Sequence, residues 1–264
     1  PCMCLRATTC LSCDRHSIPS RRVRHVQATC ISSSSFSAMR EVERTAVRAH
    51  GKAQPAADVS RVGPFIVFEG CEGSGKSTQV ERLAKRLAES SRDLITTYEP
   101  GGTAIGEELR RALIRHRDIP MAPSTELFLF GAARAQLTRE VILPALQRGA
   151  VVVCDRYAAS SLAYQGYGRG MTLDTVRAVN SAATLGLAPD IVFLLDVPPA
   201  LALTRKKREP DRFEREDSGF HERVRKGYLA LAAQEPERWI VLNGLQPIDD
   251  TASTIWTHVS QLID

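Results

Sequence analysis

The sequence predicts a three-layer α/β fold, with about five parallel strands flanked by helices. Three observations carry this. Short apolar runs of four or five residues recur between residues 65 and 242. Stretches with helical spacing of apolar residues separate them. The motifs that bear chemistry follow the strands directly, and in open α/β folds ligands gather at the carboxyl ends of the strands. Strands alternating with helices imply parallel βαβ units with right-handed crossovers.

The elements follow in order. Phe65-Ile66-Val67-Phe68 is a buried-strand run ending in a glycine-rich turn. A helix is read over about 77–88. Leu94-Ile95-Thr96-Thr97-Tyr98 is a second strand, stopped by Glu99-Pro100-Gly101-Gly102. Helical spacing then fills about 106–116 and 124–148. Ala150-Val151-Val152-Val153-Cys154 is a third strand, Ile191-Val192-Phe193-Leu194-Leu195 a fourth and Trp239-Ile240-Val241-Leu242 a fifth. Further helices are read at about 173–186, 199–206, 217–234 and 250–262.

Composition narrows the function. The 264 residues are 43% hydrophobic and 25% charged, ample for one or two domains with a sizeable core. No run of about 18 apolar residues occurs, so no membrane helix is expected. The net charge of +5 is unevenly placed. Residues 1–62 carry ten Lys and Arg against four acids, leaving 25 basic and 26 acidic residues in 63–264. A fold so close to neutral is not one built to neutralise many phosphates, and a nucleic-acid partner is not expected. Five of the seven cysteines lie in residues 1–30. Cys10 and Cys13 have CxxC spacing, but no second ligand pair follows at zinc-site spacing.

Residues 1–62 read as an N-terminal extension to a domain over 63–264. Residues 1–40 hold six Arg, no Lys and one acid, with a serine run from Ser32 to Ser35. This composition resembles that of an organellar transit peptide; because the sequence begins with Pro1, the alternative is a fragment or an over-extended reading frame with Met39 as the start. Either way the segment is expected to be poorly ordered. The expected location is the cytoplasm, or a mitochondrion or plastid if the segment is a transit peptide.

Gly70-Cys71-Glu72-Gly73-Ser74-Gly75-Lys76-Ser77 matches the phosphate-binding loop G-x4-G-K-[ST], directly after a strand and opening a helix. Its glycines let backbone N–H groups turn toward a phosphate, and the helix N-terminus adds partial positive charge. Gly70, Gly73, Ser74, Gly75, Lys76, Ser77 and Thr78 are therefore candidate ligands of a nucleoside triphosphate, which the resemblance below implies is ATP. Lys76 is expected on the β- and γ-phosphates and Ser77 on Mg²⁺. The fold class is accordingly a P-loop NTPase fold. The loop specifies a nucleoside triphosphate and leaves its use open.

The remaining motifs narrow that use. Phe68-Glu69-Gly70-x-Glu72-Gly73-x-Gly75-Lys76-Ser77-Thr78, Glu99-Pro100-Gly101-Gly102-Thr103, Glu126-Leu127-Phe128-Leu129-Phe130-x-Ala132-x-Arg134, Asp155-Arg156-Tyr157, Ala163-Tyr164-Gln165-Gly166 and Asp211-Arg212-Phe213-Glu214 stand in the order and spacing found in thymidylate kinases. From about residue 64 to 263 the chain resembles that family. The resemblance implies transfer of the γ-phosphate of ATP to dTMP, with Mg²⁺ as cofactor and a homodimer as the usual assembly. The runner-up readings are another nucleoside monophosphate or deoxynucleoside kinase, and a catalytically silent nucleotide-binding protein.

Residue roles follow from the resemblance. Phe130 and Arg134 lie four apart on one helix face. The ring is implied to stack on the base and the guanidinium to donate to O4 of thymine, where cytosine presents a donor. On spacing alone Phe130 fits the core better, within the apolar block Leu127-Phe128-Leu129-Phe130. Arg156 is implied to clamp the acceptor 5′-phosphate and Asp155 to orient the metal. The resemblance also places Pro100, Ser161, Tyr164 and Gln165 beside the acceptor, Glu72 near its 3′-hydroxyl, and Glu214 with the metal. Residues 204–216 occupy the place of the lid that closes over ATP. Some family members carry a catalytic Arg at position 73 and others supply it from the lid. Gly73 puts this chain in the second group, with Arg208 the first candidate and Arg205 and Arg212 beside it. The family's Thr-Arg-Glu-Pro-Gly-Gly segment here reads Thr97-Tyr98-Glu99-Pro100-Gly101-Gly102, without the Arg.

Overall fold

The computed structural model describes residues 61–90, 92–115, 120–205 and 210–263. Most of the N-terminal extension and Arg208 lie outside them. Five strands, β1 Phe65–Glu69, β2 Leu94–Tyr98, β3 Val151–Asp155, β4 Ile191–Asp196 and β5 Trp239–Asn243, form one sheet in the order β2-β3-β1-β4-β5. Every pairing is parallel. The helices are α1 Lys76–Ala88, α2 Ala104–Ile114, α3 Pro123–Leu137, α4 Leu143–Gln147, α5 Ala158–Ser161, α6 Leu173–Thr184, α7 Pro199–Thr204, α8 Ser218–Gln234 and α9 Ile248–Ile263.

Alternation along the strands builds the layers. Phe65, Val67, Val152, Cys154, Val192 and Leu194 face one core, shared with Leu137, Leu146, Phe220, Val224 and Tyr228 of the helices. Ile66, Phe68, Val151, Val153, Phe193 and Leu195 face the other, against Val80, Leu83 and Leu87 of α1 and Ile255 and Val259 of α9. The central strand β1 is buried along its whole length. Its apolar run therefore has no polar alternation, as a strand covered on both faces requires.

Two stretches depart from a simple helical reading. The helix expected over 124–148 is continuous but changes winding at a π-helical turn, Thr138–Ile142. Pro144 lies one turn further on. Its ring would clash with the Glu140 carbonyl in regular α-helix, and the wider turn relieves that clash. The second stretch, α5 with the π-helical segment Leu162–Gly168, carries no helical signal in the sequence. Ala158, Ala159, Ser160 and Ser161 form no apolar stripe, and Gly166 and Gly168 weaken the pattern further. Packing decides it: Gly168 sits against Phe220 and Val224, and Tyr167 against Gly227 of α8.

The first described residues, Arg61 and Val62, are tied to the domain although they precede its expected start at 63. The Arg61 guanidinium holds the Asp190 carboxylate at 2.5 and 2.6 Å, and Asp190 also accepts from the Phe65 N–H at 2.7 Å. The Val62 and Gly63 N–H groups donate to the Leu146 carbonyl.

Candidate active site

The carboxyl ends of β1, β3 and β4 open into a cleft of about 1050 Å³. Its floor is the loop between β1 and α1. Gly75 adopts φ +99°, the left-handed conformation that turns the chain into α1. Gly73 is also left-handed, at φ +75°, and a Cβ there would lie 2.1 Å from the Ala202 carbonyl of α7. A side chain at this position therefore has no room.

The Lys76 ammonium donates to the Gly70 and Cys71 carbonyls at 3.0 and 2.9 Å. It is thereby held under the loop that would receive the phosphates. Burial, together with the nearby Arg156 charge, lowers its pKa from 10.5 to about 8. Two pH effects follow. A base with a depressed pKa binds fewer protons folded than unfolded, so the protein gains stability from this group as pH rises from about 8 toward 10.5. Binding of polyphosphate needs the charged form, so kcat/KM for ATP should fall as pH rises through about 8. Because kcat/KM reports groups of the free enzyme, a profile flat to about pH 10 would show that Lys76 stays charged without phosphate.

At the head of α1 the Ser77 hydroxyl donates to Asp155 Oδ2 at 2.7 Å, bringing the two expected metal residues together from β1–α1 and β3. Glu214 does not join them. It is not among the residues lining the cleft, and its Oε2 accepts the Asp211 N–H at 3.0 Å.

Across the cleft stands a charged cluster. Arg156 Nη2 donates to Glu72 at 2.9 Å and to Tyr164 Oη at 3.3 Å, and Tyr164 Oη donates to Glu72 at 2.5 Å. Glu72 is thus paired, not a solvated loop tip. Burial opposes its ionisation, but Arg156, Lys76 and the Tyr164 hydroxyl together hold its pKa below the usual carboxylate value.

Pro100, Phe130, Ser161 and Gln165 complete this end of the cleft. Phe130 lines the cleft while packing against the edge of the core, and its ring lies 5.7 Å from that of Phe213. Arg134 differs from its expected placement. It is fully buried and does not line the cleft. Its N–H donors are spent on Glu99, Ser161, Asn180 and the Tyr157 carbonyl. It reaches the cleft through Ser161, at 2.9 Å. The physical reason is Glu99, a buried carboxylate that needs a counter-charge. Burial raises the Glu99 pKa to about 7, against the opposing pull of Arg134.

Residues 68–255 match the family model described as thymidylate kinase. A thymidylate kinase of Deinococcus radiodurans is 47% identical over 201 residues, covering 75% of this chain and 97% of the relative. One from Dehalococcoides mccartyi is 48% identical over 200 residues, covering 75% and 96%. The crystal structure of thymidylate kinase from Ehrlichia chaffeensis superposes with a TM-score of 0.60 at 30% identity, covering 76% of this chain and 99% of that one. The chain belongs to the thymidylate kinase family. This membership does not favour the runner-up readings.

The arginines expected in the lid divide. Arg205 lines the cleft and donates to the Gly244 carbonyl at 3.1 Å. Arg212 does not line the cleft. It donates to the Leu113 carbonyl at 2.9 Å and to the buried Glu126 at 2.6 Å. Glu126 explains the departure, since a buried acid gathers the nearest cations, and Arg169 joins it at 3.1 Å. The Arg–Glu spacing that marks the motif does not reveal a partner so far away in sequence.

Sequence reasoning passes over several cleft residues. Arg110 of α2 lines the cleft, donates to the Pro100 carbonyl at 2.8 Å and lies 5.3 Å from the Tyr98 ring. Tyr98 stands where the family motif has Arg, and its hydroxyl is tied to Glu107 at 2.6 Å. A cation thus faces this part of the cleft from α2. Only the helical spacing of Arg110 from the Glu99-Pro100 turn could have signalled it. Phe213, given no role within its motif, also lines the cleft, while Asn180 lies behind it and accepts from Arg134; both depend on contacts across the chain.

Proposed function

We propose the following division of labour in the transfer of the γ-phosphate from ATP to dTMP. The phosphate loop, Gly70 to Thr78, cradles the triphosphate, and Lys76 exchanges its contacts with the Gly70 and Cys71 carbonyls for phosphate oxygens. Arg205 approaches ATP from the lid, and Arg208 supplies the positive charge that meets the transferring phosphoryl group. Arg156 clamps the acceptor phosphate, with Arg110 as a second cation near Pro100. Phe130 stacks on the base. Ser161, backed by Arg134, and Gln165 face its polar edge. The Gln165 Oε1 is buried without a partner among the described residues, an acceptor suited to the N3–H of thymine. Tyr164 stands beside the sugar and Glu72 within reach of its hydroxyl.

Mg²⁺ fits the residues present. Ser77 and Asp155 offer hard oxygen donors 2.7 Å apart at the phosphate loop. Among the described residues no group of three or more His, Cys, Asp or Glu side chains could hold a metal. An ion held by two protein oxygens and completed by phosphate and water is the usual Mg²⁺ arrangement. When bound, it would neutralise charge on the phosphate oxygens.

The observation that supports this reading best is the joining of Ser77–Asp155 to the Arg156–Glu72–Tyr164 cluster in one cleft. It is tested by following transfer from labelled ATP to dTMP. We expect dTDP to form with Mg²⁺, to cease with EDTA and to return on adding Mg²⁺. Turnover unaffected by EDTA would remove the metal from the scheme. A homodimer is part of the reading, since Ile105 of α2 and Phe128 of α3 are large apolar side chains left exposed, as a second copy would cover. Among the described residues no helix is long and apolar enough to cross a membrane. The cytoplasm is the proposed site of action, or an organelle if residues 1–62 direct import.

A further inference from the structure

Glu69, the last residue of β1, is fully buried and has no part in the scheme above. Its Oε1 accepts the Tyr157 and Ser160 N–H groups at 2.9 and 3.1 Å. Its Oε2 accepts the Ser160 and Tyr228 hydroxyls at 2.7 and 2.8 Å. Those same two hydroxyl oxygens accept from Arg156 Nη1, at 3.3 and 3.1 Å. Polarity passes along this chain. Both hydroxyls stand in position to give their one proton to Glu69, which leaves lone pairs facing the guanidinium, and their oxygens lie 2.9 Å from each other, so the three side chains form one cluster behind Arg156.

The backbone says the same. Arg156 has φ +75°, a left-handed conformation that a long side chain seldom adopts. It is bracketed by fixed contacts. Its own N–H donates to the Phe68 carbonyl at 2.9 Å, and the next N–H, of Tyr157, goes to Glu69. Phe68 and Glu69 thus hold the turn between β3 and α5 from the neighbouring strand.

We propose that Glu69 is a positioning residue for the acceptor-phosphate clamp, fixing Arg156 through the oriented hydroxyls of Ser160 and Tyr228 and through the Tyr157 amide. This rests on the reading of Arg156 as that clamp. Glu69 touches no substrate itself. It sets the direction from which Arg156 meets the phosphate.

The test compares dTMP with thymidine, which shares the base and sugar and lacks the phosphate. In Glu69→Gln, the amide NH₂ replaces the carboxylate oxygen that takes both hydroxyl protons. One hydroxyl can then donate to the other, 2.9 Å away, and the remaining proton turns toward Arg156, donor against donor. We expect the Kd for dTMP to rise about tenfold or more, in line with loss of a charge-assisted contact, while the Kd for thymidine and the KM for ATP stay within about twofold. In an Arg156→Ala background the same change should add nothing. Equal losses for dTMP and thymidine would make Glu69 a plain structural residue and overturn the proposal. Tyr228→Phe removes one hydroxyl while keeping the ring, and decides the matter if Glu69→Gln does not fold. It should weaken dTMP and spare thymidine, and equal effects on both would again overturn the proposal. Arg156→Ala alone separates the two levels. If it does not change the preference for dTMP over thymidine, the clamp reading itself fails. If it abolishes that preference and neither Glu69→Gln nor Tyr228→Phe alters it, only the role of Glu69 fails.

Discussion

Lys76→Ala should lower kcat by about 100-fold or more, on the order of 3 kcal/mol in the barrier. The argument is local. The ammonium lies buried beneath the loop, within 3.0 Å of two loop carbonyls, and burial has already pushed its pKa down to about 8. A charge desolvated in this way has its interaction with a developing phosphate charge strengthened, because little water screens it. Alanine removes the charge and leaves the Gly70 and Cys71 carbonyls facing the phosphates. The fold should persist, since the glycine turn and the apolar face of α1, Val80, Leu83 and Leu87, do not depend on the lysine. The check is steady-state kinetics at saturating dTMP, with circular dichroism as the control. A variant within tenfold of the parent would exclude the loop lysine from the transfer step.

Arg134→Ala should have the second large effect, and on the acceptor side only. Truncation leaves Glu99 and Asn180 without the guanidinium that satisfies them, and frees Ser161 to rotate. Removing one partner of a buried ion pair costs about 3–5 kcal/mol of stability, so turnover should be measured well below the melting temperature of the variant. We expect dTMP turnover to fall strongly and the preference for dTMP over dCMP to narrow, while ATP affinity stays nearly intact. Arg134→Lys keeps the charge but offers no planar fork for four partners, and should behave similarly in milder form. Unchanged discrimination, or loss of ATP binding in its place, would move the base pocket away from α3.

The parts of this molecule that are legible in the sequence are those with local causes. The strands are visible as apolar runs because the sheet is covered on both faces. The phosphate loop is visible because glycines, lysine and serine must stand at fixed spacing to wrap a phosphate. Ser77 and Asp155, read from motifs 78 positions apart, do meet at 2.7 Å. What stays hidden depends on buried charge and packing. Arg134 is expected to face the base, and the demand of Glu99 turns it inward. Arg212 is expected on ATP and is taken by Glu126. Glu214 is expected at the metal and closes a local turn with Asp211 instead. Glu69 looks like the plain end of a strand, because its donors come from residues 88 and more positions away. No periodicity records such partners.

The end of the cleft formed by Phe130, Ser161 and Gln165 is proposed to read thymine on an acceptor monophosphate. The most direct measurement is kcat/KM for dTMP, dUMP, dCMP and thymidine with Mg·ATP. A site built around hydrogen bonds rejects an analogue that leaves its polar groups unpaired, so dTMP should exceed dCMP by a factor on the order of 1,000 or more. Only one methyl separates dTMP from dUMP, and that preference should be roughly 10- to 100-fold. Thymidine, lacking the phosphate for Arg156, should not be turned over. Comparable rates with dTMP and dCMP, or efficient phosphorylation of thymidine, would contradict the assignment.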